Sequence, residues 1–156
     1  MNRLSSRAEW DAELRPHWTP IFAYGAAFVI ATAHIAVGLL LKISSSGVVF
    51  QTADQVAMAI LGLVLAGLVL LFARPRLRVG KSGLSVRNVL GDRLLPWSEV
   101  VGVSFPAGSR WARIDLPDDE YIPVMAIQAV DKDRAVDAMD TVRSLFARYR
   151  PDLRTR

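Results

Sequence analysis

The side chains with chemical reach are few in this chain. There are two histidines, His17 and His34; Asp118, Asp119 and Glu120 form an acidic run; Gly80-Lys81-Ser82-Gly83 is a glycine-framed polar loop. Neither histidine has a nucleophile at a spacing that would make it a general base. A phosphate-cradling loop needs a strand before it and a helix after it, and residues 80–83 lack that context. The absence of cysteine excludes disulfides, thiolate metal sites, a cysteine nucleophile and cysteine acylation. The acidic run reads as an exposed turn rather than a cation loop. The residue inventory therefore predicts no catalytic residue, no cofactor, no metal site and a role other than catalysis.

His34 is notable for its setting. It lies in the apolar run Ile21 to Leu41, which contains no formally charged residue and as a helix would be about 31 Å long, close to the ~30 Å hydrocarbon core of a bilayer. A second run, Val56 to Phe72, is slightly shorter, and Ala53 and Ala73 extend it if Asp54 and Gln55 sit among headgroups. The stretch Lys42 to Gln55 between them carries Ser44-Ser45-Ser46-Gly47 and then Val48, Val49 and Phe50, a short exposed link. Residues 20–73 thus read as a transmembrane helical hairpin. Ala23, Ala27, Ala31, His34 and Gly38 share one flat face of the first span, and Ala59, Gly62 and Ala66, with Ala73 beyond, line one side of the second, so the helices can approach closely. Phe28, Leu39, Leu63, Leu65 and Leu70 are left for lipid or another membrane protein. A proton relay or metal site at the depth of His34 would need further ionisable groups there, so the expectation is a neutral imidazole hydrogen-bonded across a helix interface, within this chain or to a neighbouring protein.

Charge sets the expected topology. Arg3, Arg7 and Arg15 precede the first span, Lys42 alone lies in the connection, and Arg74, Arg76, Arg78 and Lys81 follow the second, which predicts a multi-pass protein of the plasma (inner) membrane with both termini cytoplasmic. The apolar run starts too far from the N-terminus, and is too long, for a cleaved signal. The net charge of +4 comes from 19 basic residues dispersed among 15 acidic ones, which argues against nucleic acid as a partner.

The flanking segments organise around the hairpin. Residues 1–19 read as a short interfacial helix: Ser6 and Glu9 have capping-box spacing, and Trp10, Leu14 and Trp18 recur every four residues until Pro16 kinks the chain. After residue 74 the period changes to alternation. Leu77 and Val79, Leu84 and Val86, Arg93 to Pro96, Val101 to Phe105, Ala112 to Leu116 and Tyr121 to Ile127 read as consecutive antiparallel strands separated by turns. Asp131 is placed as the N-cap of a closing amphipathic helix whose face is Ala135, Met139, Val142, Leu145 or Phe146, and Tyr149, ending before Pro151. The expected class is α+β: a two-helix hairpin, then a small antiparallel β domain over 74–150 capped by a helix, with 151–156 as a tail.

Leu77-Arg78-Val79, Gly83-Leu84-Ser85-Val86, Leu95-Pro96-Trp97 followed by Val100, and the closing Asp131 to Tyr149 helix together resemble the small bacterial pleckstrin-homology-like (PH-like) domains found beside membrane hairpins in actinobacterial proteins. The resemblance covers about Arg74 to Arg150 and implies that Trp97 is a packing residue. It also implies the option of lipid headgroup binding, for which Arg74, Arg76, Arg78, Lys81 and Arg87 are the candidate contacts. A hairpin joined to such a domain is similar in architecture to small accessory subunits of actinobacterial membrane assemblies, the cytochrome reductase-oxidase supercomplex among them. The functional expectation is a non-catalytic accessory or scaffold protein that binds other integral membrane proteins, the alternative being a tethered binder of anionic membrane lipids.

Overall fold

The computed structural model describes residues 10–40 and 51–153. The expected capping box of Ser6 and Glu9 and the link from Lys42 to Phe50 lie outside them. The described chain forms two compact units, Thr19–Ala73 and, together, Met1–Trp18 with Arg74–Arg156.

The first unit is a pair of helices. Helix α1 spans Trp18–Leu40 and α2 spans Thr52–Leu70, followed by a 3-10 turn, Leu71–Ala73. Both are long and apolar enough to cross a membrane. Helix α2 starts earlier than its apolar run, because Asp54 can close the first turn: its carboxylate accepts the Gln51 backbone N–H at 2.8 Å.

The other unit is built from seven strands and a helix. Strands β1 (Trp10–Leu14), β2 (Arg76–Gly80), β3 (Gly83–Arg87) and β4 (Asp92–Leu95) form one antiparallel sheet in that order. Strands β5 (Gly102–Ser104), β6 (Trp111–Asp115) and β7 (Tyr121–Gln128) form a second. Helix α3, Asp133–Tyr149, packs against β2, β5 and β7. The alternation of each strand puts its apolar set inside: Leu77, Val79, Leu84, Leu95, Val100, Ile114, Val124 and Val142 are fully buried in one shared core. The fold is mixed α+β with PH-like antiparallel sheets and a C-terminal helix, as expected. The tight β2 to β3 turn requires Gly83, which has φ 139 and whose added Cβ would lie 2.0 Å from the Leu95 carbonyl oxygen.

Two local expectations are corrected. Residues 10–14 are strand β1, not part of an interfacial helix; Glu13 pairs with Arg78 and Leu14 with Leu77 across the sheet. In chain order both helices therefore lie between two hydrogen-bonded strands. Asp131 is not the N-cap of α3. It sits in a 3-10 turn, Ala129–Asp131, and the cap position is Lys132.

Candidate functional site

Three groupings bear on function: the facing sides of the helix pair, the basic outer face of the first sheet, and the buried carboxylate of Asp131.

In the helix pair, Ala23, Ala27 and Gly38 of α1 and Gly62 and Ala66 of α2 are buried, while Ala31, His34 and Ala59 are half-buried. The contact is close. A Cβ on Gly62 would lie 2.4 Å from the His34 Cβ and 2.9 Å from its Cγ, so the stem of His34 fills the space that glycine leaves. A Cβ on Gly38 would lie 3.2 Å from the Gln55 carbonyl oxygen. Among the described residues, the hydrogen bond of the imidazole stays on its own helix. Its Nδ1 donates to the Ile30 carbonyl oxygen of its own helix at 2.8 Å, because a carbonyl one turn back is within reach of a short polar side chain. The small residues face inward and the bulk faces outward: Phe28 is 73% exposed, and Phe22, Tyr24, Leu39, Leu63 and Leu65 are exposed with it, whereas Leu70 is half-buried.

The basic residues are only partly gathered. Arg76 and Arg87 are cross-strand partners and Arg78 lies two positions along β2 on the same face. Two of the three are already paired: Arg78 Nε lies 2.6 Å from Glu13 Oε2, and Arg87 Nε lies 3.0 Å from Asp92. Arg15 also binds Glu13, at 2.6 Å. Hydrogen bonds from Arg15 and Arg78 hold the Glu13 carboxyl below its ordinary range. Arg76 is left without a carboxylate of its own among the described residues, and burial, then the charges of Arg78 and Arg87, lower its pKa. Arg74 is exposed just before β2. Lys81 is exposed in the turn at the far end of β2, about 16 Å from Arg76 at ~3.3 Å per residue. No single cradle collects all five.

Asp131 caps the chain elsewhere than at α3. It is 7% exposed, and its two carboxylate oxygens accept the backbone N–H groups of His17 and Trp18, each at 3.1 Å. A buried charge is tolerated there because both oxygens are satisfied, and the amides at the first residues of a helix are the donors that otherwise lack partners. An acidic residue before an apolar periodic run reads as a cap from sequence; only the fold shows which backbone it faces. Next to it, Arg134 Nη1 lies 3.3 Å from His17 Nδ1.

Trp97 is a packing residue. It is buried, its indole N–H donates to the Gly80 carbonyl oxygen at 2.9 Å, and it stacks on Tyr149 at 5.4 Å between centroids. Arg150 closes the same corner by donating to the carbonyl oxygens of Trp97 and, at 3.0 Å, Val100. The side chain of Asn88 bridges the two sheets, donating to the Pro123 carbonyl at 2.8 Å and accepting from the Met125 N–H at 3.1 Å. Asp118 and Asp119 have φ near 60°, in the turn between β6 and β7.

Comparison with known proteins places this architecture. Residues 74–145 match the family model of the bacterial PH domain. That match starts after the helices and so omits β1. The chain is 83% identical over 145 residues to the uncharacterized proteins Rv1417 of Mycobacterium tuberculosis (strain H37Rv) and Mb1452 of Mycobacterium bovis, covering 93% of this chain and 94% of each relative. No solved structure matches the chain. With identity at that level over nearly the whole length, the chain belongs to the family of these mycobacterial proteins, and its β domain is a bacterial PH domain.

Proposed function

We propose that this chain is a non-catalytic integral membrane accessory protein whose helix pair crosses the plasma membrane, with both termini cytoplasmic, and binds other integral membrane proteins. The observation that carries the reading is the division of side chains on the hairpin. Its small residues are used against one another, and its large apolar residues, from Phe22 and Phe28 to Leu63 and Leu65, face outward where lipid or a neighbouring span would lie. The β domain adds a packed core without a convergent catalytic set among the described residues. A complex of the cytochrome reductase-oxidase kind is the setting in which an accessory hairpin of this architecture is expected. The test is purification in mild detergent with mass spectrometry of co-purifying subunits. Stoichiometric membrane partners are expected; recovery of the protein alone in several detergents would refute the scaffold reading.

Lipid binding is the second reading, and Arg76 favours it: half-buried between Arg78 and its cross-strand partner Arg87, with no carboxylate in ion-pair reach among the described residues, it is a position a headgroup phosphate would pair with. Nanodiscs of anionic lipid should then protect residues 74–87 from hydrogen exchange more than zwitterionic ones. That protection should fall with salt, with Arg76→Ala, and with Lys81→Ala combined with Arg87→Ala. Equal protection in both lipids would sink it.

A further inference from the structure

Between the segment that leaves β1 and the first turns of α3 lies a cleft of about 240 Å³. A water needs only ~10–15 Å³ of such space, so the cleft has room for a small polar molecule. All of its lining belongs to the β unit. Part of that lining is apolar, with Leu14, Ala126, Ile127, Ala135 and Ala138. The rest is polar: His17 comes from the segment after β1, and Arg134, Asp137 and Thr141 stand at positions i, i+3 and i+7 of α3, on one face of the helix.

The charged groups around the cleft divide into those already used and those still available. Both oxygens of Asp131 accept the amides of His17 and Trp18, and Arg15 is bound to Glu13. Arg134 and Asp137 are available. Among the described residues neither side chain has an ion-pair partner, and they do not pair with each other although they stand three residues apart on one helix. Arg134 Nη1 lies 3.3 Å from His17 Nδ1. A guanidinium can only donate, so Nδ1 accepts and the ring proton sits on Nε2, a second donor without a partner among the described residues. The cleft thus presents two donors, on Arg134 and His17, and one carboxylate on Asp137 about 5–6 Å away from Arg134 at the level of Cβ. A bare anion would meet Asp137, and a bare cation would meet Arg134. A ligand with both charges on a short tether satisfies both.

We propose that this cleft binds an ethanolamine phosphate group, a phosphate ester whose two-carbon arm ends in a primary ammonium. The phosphate oxygens accept from the Arg134 guanidinium and the His17 Nε2–H, and the ammonium donates to the Asp137 carboxylate. Thr141 Oγ1 donates to the Asp137 carbonyl at 2.9 Å and keeps its lone pairs for a further ammonium hydrogen. The same chemistry arrives either as the headgroup of a membrane lipid or as a soluble ester. His17 is the residue before α1, so the lipid source rests on the reading of α1 as a membrane span; the selectivity of the cleft does not. The site is separate from the basic face around Arg76.

The experiment uses the full chain in phosphatidylcholine nanodiscs and follows the methyl resonances of Ala135 and Ala138, which line the cleft. O-phosphoethanolamine is titrated beside phosphocholine and inorganic phosphate. Saturable shifts are expected for phosphoethanolamine, with affinity at least about fivefold above that for phosphate or for phosphocholine, whose trimethylammonium cannot donate to Asp137. Arg134→Gln should weaken binding about tenfold. Asp137→Ala is the decisive variant, because it should abolish the preference over phosphocholine. Both positions are exposed on a helix, so the unfolding temperature should stay where it is. Discs of phosphatidylethanolamine tell the two sources apart: a lipid ligand shifts the same methyls without added ester and blocks the titration, whereas a soluble ligand leaves the titration as it was. The proposal is overturned by the absence of saturable shifts with the ester and with phosphatidylethanolamine alike, by equal affinity for phosphocholine or phosphate, or by a preference that survives Asp137→Ala. Larger shifts in phosphatidylglycerol discs than in phosphatidylethanolamine discs would overturn it too, since that headgroup carries no ammonium. A chain that purifies without membrane partners while the cleft binds the ester would refute the scaffold reading only; a chain with partners and a cleft blind to the ester would refute this one only.

Discussion

Asp131 shows how one side chain can organise a junction in the chain. Its carboxylate holds the amides of His17 and Trp18, where strand β1 has ended and α1 begins. Asp131→Ala strands two partly buried N–H groups and should lower unfolding stability by about 2–3 kcal/mol, with faster hydrogen exchange at His17 and Trp18. Asp131→Asn keeps one acceptor and should lose less. A change under about 0.5 kcal/mol for the alanine variant, within the range of an ordinary surface substitution, would show that water replaces the carboxylate. Glu13 makes a prediction in pH. Its folded carboxyl is held below the ordinary value of 4.5 by Arg15 and Arg78. The stabilisation is therefore complete above the unfolded pKa and declines as pH falls through the lower folded one. With solvent screening it amounts to no more than about 1 kcal/mol. Relative to Glu13→Gln, the wild type should keep its advantage above the ordinary carboxyl value of 4.5 and lose it progressively as the pH falls below that; a difference that stays constant with pH would contradict the ion pair.

At the scale of elements, what the sequence discloses depends on whether a segment's period has one reading. Leu77/Val79, Leu84/Val86 and Ala112/Ile114 alternate and cannot form a one-sided helix, so β2, β3 and β6 are legible, and the α3 face is legible for the converse reason. Trp10-Asp11-Ala12-Glu13-Leu14 satisfies both periods, alternating apolar and charged while spacing Trp10, Leu14 and Trp18 by four. The decision falls to β2, a partner that arrives only after both long helices, and pairing at that separation is invisible to a local window. The lipid candidates suffer the same limit: the sequence shows Arg78 and Arg87, but their pairing with Glu13 and Asp92 depends on register. The small-residue faces of the hairpin are the opposite case, since helical geometry alone sets which residues share a face. Gly62→Ala should cost about 1–3 kcal/mol, because its methyl would overlap the stem of His34. Because the nearest clash is with the His34 Cβ, only glycine there relieves it: Gly62→Ala should cost much less in a His34→Gly background, a coupling that a thermodynamic cycle in detergent reads directly. Additive losses would mean that the helices do not meet there.

At the scale of the whole molecule, the segment Thr19–Ala73 interrupts a sheet rather than preceding a domain. Leu14 pairs with Leu77, so the chain leaves the sheet at β1 and resumes it at the adjacent strand β2. The family match to residues 74–145 therefore covers a domain lacking its first strand. Removing residues 1–73 would expose the β2 edge, uncover Leu14's contact with the core, and leave Asp131 buried without the amides of His17 and Trp18. A fragment of residues 74–153 should accordingly be poorly soluble or incompletely folded, with a broad thermal transition. Residues 10–18 joined by a short flexible linker to 74–153 should restore a cooperative transition, since loop closure over a few residues costs little more than over a native turn and the strand contributes both a paired edge and Leu14. Comparing the two fragments by circular dichroism and amide spectra separates the possibilities. If 74–153 alone folds cooperatively with the stability of the linked form, β1 is an ornament of the sheet; if only the linked form does, the helix pair is an insertion into a single PH-like fold, and the strand on its N-terminal side is an integral part of that domain.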